Sequence, residues 1–214
     1  MNRRVRLLRA GDARSVPWKN GRGVTRELAL GPEGASFERG DFDWRISAAS
    51  VAENGPFSAF PGFERVLVIT SGEGLVLEHG DAAPRARLRR MQPYRFSGDW
   101  PTRAELVGAP GPVPDSTVRD FNVLARRGRL DAQALAVELG ARTLRENLGD
   151  ELVFVHVLAR ATARVSGEDD PFELAEADSL LITGTSRHDE IEISGRHDAC
   201  GVILVRLSRA ATRP

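Results

Sequence analysis

The sequence predicts an all-β protein of two barrel or jelly-roll modules packed together, with little helix. Short apolar or alternating runs are punctuated by Gly, Pro and Asp at the intervals of barrels and sandwiches: Arg3 to Leu8, Thr25 to Leu30, Trp44 to Val51, Arg65 to Thr70, Gly74 to Glu78, Arg87 to Met91, Tyr94 to Phe96 and Thr117 to Ala125. Helical periodicity is scarce, and its best candidate, Asp131 to Leu139, contains an Ala-Val-Glu-Leu run that also suits a strand. The strand pattern also recurs. Glu64-Arg65-Val66-Leu67-Val68-Ile69 echoes Glu151-Leu152-Val153-Phe154-Val155-His156 at an offset of about 87 residues. The same offset lays Met91 to Phe96 on Asp178 to Thr183 and Ala104-Glu105-Leu106 on Ile191-Glu192-Ile193. So long a period reads as duplication of a whole small β-domain. The boundary falls at Arg126-Arg127-Gly128, giving modules 1–128 and 129–214. The Pro-rich Ala109 to Asp115 is read as a loop inside the first module, because strand character resumes at Thr117.

A chain of 214 residues with 41% hydrophobic and 28% charged residues has the make-up of an ordinary globular protein with a real core. The formal net charge is +0, and no basic run interleaved with aromatics occurs, which argues against a nucleic-acid partner. The basic N-terminus lacks an apolar leader core and no long apolar span is present, so the expectation is a cytoplasmic protein without a membrane partner. Cys200 is the single cysteine, which excludes an internal disulfide and a thiolate-rich metal site; beside Val202-Ile203-Leu204-Val205 it reads as a buried structural thiol. Lys19 is the single lysine in an arginine-rich chain; a genomic bias toward Arg accounts for most of that pattern, and the alternative is that Lys19 marks a place where a compact ammonium serves and a planar fork does not.

The histidines do not cluster. His79, His188 and His197 sit in turn or polar segments and are assigned to solvated surface, whereas His156, in an apolar alternating run, is assigned to the core. The chemistry gathers instead in Phe42 to Gly74. On a strand Trp44 to Val51, Arg45, Ser47 and Ala49 share one face and Trp44, Ile46 and Ala48 the other. Arg45 and Arg65 both lie in segments suited to burial, and a buried guanidinium requires an anionic or multiply accepting partner. A mixed inner face with converging polar groups is the usual form of a small-ligand pocket in a barrel. Plainer roles stand beside this one. Arg45 would pair with Asp43 or Asp120, the aromatic residues Trp44, Phe57, Phe60 and Phe63 would fill the core, Asn20 and Asn122 would serve as turn devices, and Asp120 would orient an arginine.

The apolar strands followed by Ser71-Gly72-Glu73-Gly74, in a duplicated all-β chain, resemble a bicupin. Cupins set a metal on a His-X-His pair, a nearby Glu and a further His. In this chain Arg65 stands where the Glu is expected, the His positions fall near Ser58 and Phe60, and Gly98 takes the place of the last His, so no metal or other cofactor is expected. Trp18-Lys19-Asn20-Gly21-X-Gly23-X-Thr25, Phe42-Asp43-Trp44-Arg45-Ile46-Ser47-X-Ala49, Gly55-Pro56-Phe57-Ser58-X-Phe60-Pro61-Gly62, Gly98-Asp99 and Asp120-Phe121-Asn122-Val123 are similar to the HutD/Ves family. That resemblance implies a metal-free bicupin tied to histidine utilisation, or to stress responses in the Ves branch, that binds a small acidic metabolite.

The expected function is therefore binding of a small carboxylate, formylglutamate-like or urocanate-like, in the N-terminal module. Arg65 and Arg45 neutralise it, Lys19, Asn20, Ser47 and Asn122 orient it, Asp120 lies alongside, and Trp44 with Phe57 closes the apolar side. The C-terminal module is assigned to structure and to dimerisation. An enzyme acting on a small acidic metabolite is the alternative, with Glu27, Glu64 or Asp120 as base, although the sequence shows no paired acid and base.

Overall fold

The computed structural model describes residues 3–17, 24–108, 117–149, 152–196 and 200–210. Trp18, Lys19, Asn20, the Ala109 to Asp115 loop and His197 lie outside the described residues. After β1 (Arg4–Leu8) the chain forms β2 (Arg14–Pro17), β3 (Val24–Gly31), β4 (Trp44–Val51), β5 (Gly55–Pro56), β6 (Phe63–Ser71), β7 (Leu75–Glu78), β8 (Ala86–Leu88), β9 (Tyr94–Ser97), β10 (Arg103–Leu106) and β11 (Val118–Arg126). The second half comprises β12 (Leu130–Glu138), β13 (Thr143–Asn147), β14 (Leu152–Val157), β15 (Ala161–Val165), β16 (Phe172–Leu174), β17 (Ser179–Thr183), β18 (Glu190–Gly195) and β19 (Gly201–Arg209). The helix candidate at Asp131 to Leu139 is thus a strand. Its Ala132 is buried and Gln133 exposed, and pairing in a sheet overrides the helix propensity of its alanines.

The chain divides into two compact units, Arg14–Asp131 and Met1–Ala13 with Ala132–Pro214. The boundary differs from the expected 128/129 chiefly at the N-terminus. β1 pairs antiparallel with β17 along its whole length, Arg4 opposite Thr183 through Leu8 opposite Ser179, so it belongs to the C-terminal unit. Buried Asp178 fixes the chain just beyond it, accepting hydrogen bonds from Arg9 Nη1 at 2.7 Å, the Ala10 N–H at 2.8 Å and the Ala175 N–H at 3.0 Å. Burial raises the pKa of this carboxyl, but those donors outweigh burial and hold it below the usual aspartate range. Strand pairing across the length of the chain is not written in local sequence.

Each unit is built of two antiparallel sheets, and the two units repeat one strand order. The order β5-β10-β7-β8 in one recurs as β13-β18-β15-β16 in the other, and β4-β11-β6-β9 recurs as β12-β19-β14-β17. In the N-terminal unit, Leu67 and Ile69 of one sheet pack with Leu75, Leu77 and Leu88 of the other. In the C-terminal unit, Val153 and Val155 pack in the same way with Ala163, Ile191 and Ile193.

Sheet register locates the repeat more sharply than the sequence echo does. Arg65 is paired with Phe96, and Val153 with Ile182; Asn122 is paired with Leu67, and Leu204 with Val155; Asp120 is paired with Ile69, and Val202 with Val157. Arg65, Asn122 and Asp120 therefore correspond to Val153, Leu204 and Val202. The 87-residue echo sets Arg65 on Leu152 instead, a one-residue slip that turns the side chain to the other face. Val153, Val202 and Leu204 are fully buried core residues, each worth roughly 1.5–3 kcal/mol of hydrophobic stabilisation. The N-terminal unit replaces that trio with a guanidinium, a carboxamide and a carboxyl. A local breach of core chemistry of this kind is the mark of a functional site.

Candidate functional site

The inner face of the sheet containing β3, β4, β11 and β6 carries the polar side chains in cross-strand rows. One row runs Thr25, Ala49, Asp120, Ile69; the next runs Glu27, Ser47, Asn122, Leu67; a third runs Arg45, Leu124, Arg65, Phe96. Strand alternation puts every second residue of β4 into this face, so Arg45, Ser47, Ala49 and Val51 line a cavity of about 400 Å³. Arg65, Asp120 and Asn122 line it from β6 and β11. Phe57, Ser58 and Phe60, from the loop after β5, close it together with Phe37. Gly98 lets that loop approach: Phe60 N–H donates to Gly98 O at 2.8 Å, and a Cβ at position 98 would sit 2.4 Å from Phe60 O.

Arg65 is 5% exposed and is held on two sides. Its Nε and Nη2 donate to Asn122 Oδ1 at 3.3 and 3.1 Å, and Nη1 donates to the Ser58 carbonyl at 3.1 Å. Of the five N–H groups of a guanidinium these use three, leaving one on Nη1 and one on Nη2 without a partner among the described residues. Aromatic rings surround the cation, with Phe96, Phe60 and Phe57 centred 4.8, 5.3 and 5.4 Å from Cζ. Burial brings the Arg65 pKa down to about 10, opposed by the charge of Asp120, so it is a full cation at neutral pH. Burial likewise pushes Asp120 up to about 7, opposed by Arg65. No hydrogen bond reaches the Asp120 carboxyl from the described residues.

Arg45 differs in kind. It is 4% exposed, its Nε donates to Glu27 Oε2 at 2.8 Å, and its guanidinium lies 4.2 Å from the Phe37 ring. The expected partners are otherwise engaged. Asp43 binds Arg126 and Arg129, and Asp120 faces Arg65. Arg45 and Glu27 form a buried neutral pair, and among the described residues of the cavity the cation available to a ligand is Arg65.

The structure brings Arg65, Arg45, Ser47, Phe57, Asp120 and Asn122 to one cavity. Trp44 is a correction to the expected set. It is buried on the opposite face of β4, its ring against Gly31, where a Cβ would meet Cε2 at 2.5 Å. Alternation along β4 already separates Trp44 from Arg45. His79 is a second correction, being buried rather than solvated. Thr102 donates its hydroxyl to Trp100 O, so His79 Nδ1–H donates to Thr102 Oγ1 at 2.9 Å and Nε2 accepts from Tyr94 OH at 3.1 Å. Burial, and secondarily the charge of Arg65, lowers its pKa, so it backs the Phe96 wall as a neutral ring. The signal was present: Leu75, Leu77 and His79 share one strand face. His156 is in the core as expected, bonded to Ser179 Oγ at 2.9 Å, and His188 is exposed.

Ser58, Phe60 and Arg65, standing where the cupin pattern sets metal ligands, all line the cavity. A hydroxyl, a phenyl ring and a guanidinium do not fit a metal cation. Among the described residues no group of three or more His, Cys, Asp or Glu is placed to hold one. No helix among them is long and apolar enough to cross a membrane.

The HutD family model matches residues 10–200. A Protein Ves from Cronobacter sakazakii is 37% identical over 153 residues, 70% of this chain and 76% of that one. Matches to three further curated relatives span 56% to 60% of their lengths. A conserved protein of unknown function from Pseudomonas aeruginosa PAO1 superposes with a TM-score of 0.80 at 30% identity, over 96% of this chain and 99% of its own. HutD from Pseudomonas fluorescens SBW25, in a structure described as a formate condition, superposes at 0.75 with 29% identity, over 97% of this chain and 100% of its own. An oxalate decarboxylase from Lactobacillus farciminis, 7% identical with a TM-score of 0.60, shares the cupin fold alone.

Proposed function

Because the chain belongs to the HutD family, we propose that it binds a small carboxylate metabolite in the N-terminal cavity without a resident metal, and so regulates or supports histidine utilisation in the cytoplasm. The observation that carries this is Arg65: a buried full cation at the wall of a cavity of about 400 Å³, with one hydrogen on each of Nη1 and Nη2 left for an acceptor. That volume lies in the usual range for small-molecule sites. A carboxylate meets those two hydrogens bidentately. Asn122, whose Oδ1 is taken by Arg65, keeps its NH₂ group as a donor, and Ser47 adds a hydroxyl. The phenyl rings of Phe37, Phe57 and Phe60 suit the apolar or planar part of a formylglutamate-like or urocanate-like acid.

A second reading is an enzyme acting on a small acidic metabolite, favoured by Asp120, a buried carboxyl near 7 in the cavity and so suited to act as a general base. The alternative setting is the stress-response role that the sequence resemblance to the Ves branch implies. Calorimetric titration with urocanate, formylglutamate and glutamate tests the first reading. Saturable one-to-one binding of at least one, without turnover, is expected; binding of none of the three sinks the ligand choice. Product formation from a bound acid would move the assignment to the enzyme.

A further inference from the structure

The charges around the cavity fix what must accompany an anion into it. Four charged groups face or border it among the described residues. Arg45 on β4 is cancelled by Glu27 on β3, and Arg65 on β6 is balanced by Asp120 on β11. Beyond the Phe96 wall the nearest titratable groups are His79, a neutral ring engaged at both nitrogens, and Tyr94, whose pKa burial raises further. Among the described residues the lining is therefore neutral with Asp120 ionised. A carboxylate on Arg65 would add a second anion beside that guanidinium, and two carboxylates sharing one dry site do not both remain ionised.

Asp120 is built for the alternative. It is 4% exposed, it projects into the cavity two residues from the Asn122 that holds Arg65, and its oxygens accept no hydrogen bond from the described residues. As a carboxylic acid it would turn from competitor into donor.

We propose, on the basis of the carboxylate-binding function above, that the cavity takes up one carboxylate together with one proton, the proton residing on Asp120 and bonding to the bound carboxylate. Asp120 is thus a specificity residue. It admits a single carboxylate at Arg65, and it gives the site an affinity that falls as pH rises. The pKa near 7 sets the window: affinity is level below about pH 7 and falls about tenfold per pH unit above it, since each binding event must then first protonate Asp120.

The test uses the whole chain, with formate, which carries one carboxyl, and formylglutamate, which carries two, as probes, since none of these carboxyl groups titrates between pH 6 and about 9. Affinities are measured calorimetrically across that range, and at pH 8 in two buffers of different ionisation enthalpy. The wild type should take up close to one proton per ligand at pH 8 and show the fall in affinity. Asp120→Asn, which donates an amide hydrogen without titrating, should take up none, bind with level affinity, and exceed the wild type about tenfold at pH 8. Wild-type binding with level affinity and no proton uptake overturns the proton link and leaves the carboxylate function standing. Absence of binding by both probes at every pH overturns both. The buffer comparison needs only the wild type, so a poorly folding variant does not spare the proposal.

Discussion

Arg65→Met lowers carboxylate affinity at least about 30-fold for every acid that the wild type binds, because truncating one partner of a buried charge-assisted contact costs about 2–5 kcal/mol. The loss is a binding effect and not a folding one. At the matching sheet position the C-terminal unit carries Val153, fully buried, so the fold accepts an apolar side chain there. Met fills the space among Phe57, Phe60 and Phe96, and Asp120, relieved of its counter-charge, stays protonated to a higher pH. Calorimetry paired with thermal unfolding at pH 6 separates the two effects. Unchanged affinity at unchanged stability would remove Arg65 from the site.

Glu27→Gln has the largest expected effect on stability. Glu27 is the partner of Arg45 at 2.8 Å, and both side chains are under a tenth exposed. Breaking a buried pair by neutralising one member leaves an uncompensated charge, a loss of about 3–5 kcal/mol. The double variant Glu27→Gln with Arg45→Met should recover most of that, since removing both charges also removes their desolvation cost. Urea unfolding of the four proteins of this cycle measures the coupling. A single variant as stable as the wild type would mean that Arg45 is not held as a buried cation. The same substitution leaves Arg45 as an unbalanced cation at the cavity, beside an Arg65 that Asp120 balances, so Glu27→Gln should also bind carboxylates more tightly.

Local alternation made much of this legible. The runs around β1, β3, β4, β6, β7 and β9 mark strands, and the alternation of β4 alone predicts that Arg45 and Ser47 share a face. It equally sets Trp44 on the opposite face. Glu27 is visible as an acid, but its pairing with Arg45 is not, because that depends on β3 lying beside β4, with an irregularity between Glu27 and Ala29. The duplication was legible as a period and not as a register. A slip of one residue costs nothing in apparent similarity and everything in facing, and only the ladder pairing reveals that Arg65, Asn122 and Asp120 stand where the second unit keeps Val153, Leu204 and Val202. Membership of β1 in the C-terminal unit is set by contacts across nearly the whole chain, beyond the reach of any local pattern.

The most direct test of the central claim is a crystal structure of the protein grown with formylglutamate near pH 6. The account predicts one ligand carboxylate on the Nη1 and Nη2 hydrogens of Arg65, within hydrogen-bond distance of Asp120 and Asn122, and the Arg45–Glu27 pair intact. A ligand seated elsewhere, or an Arg65 bonded only to Asn122 and Ser58 beside an empty cavity at saturating ligand, would contradict it.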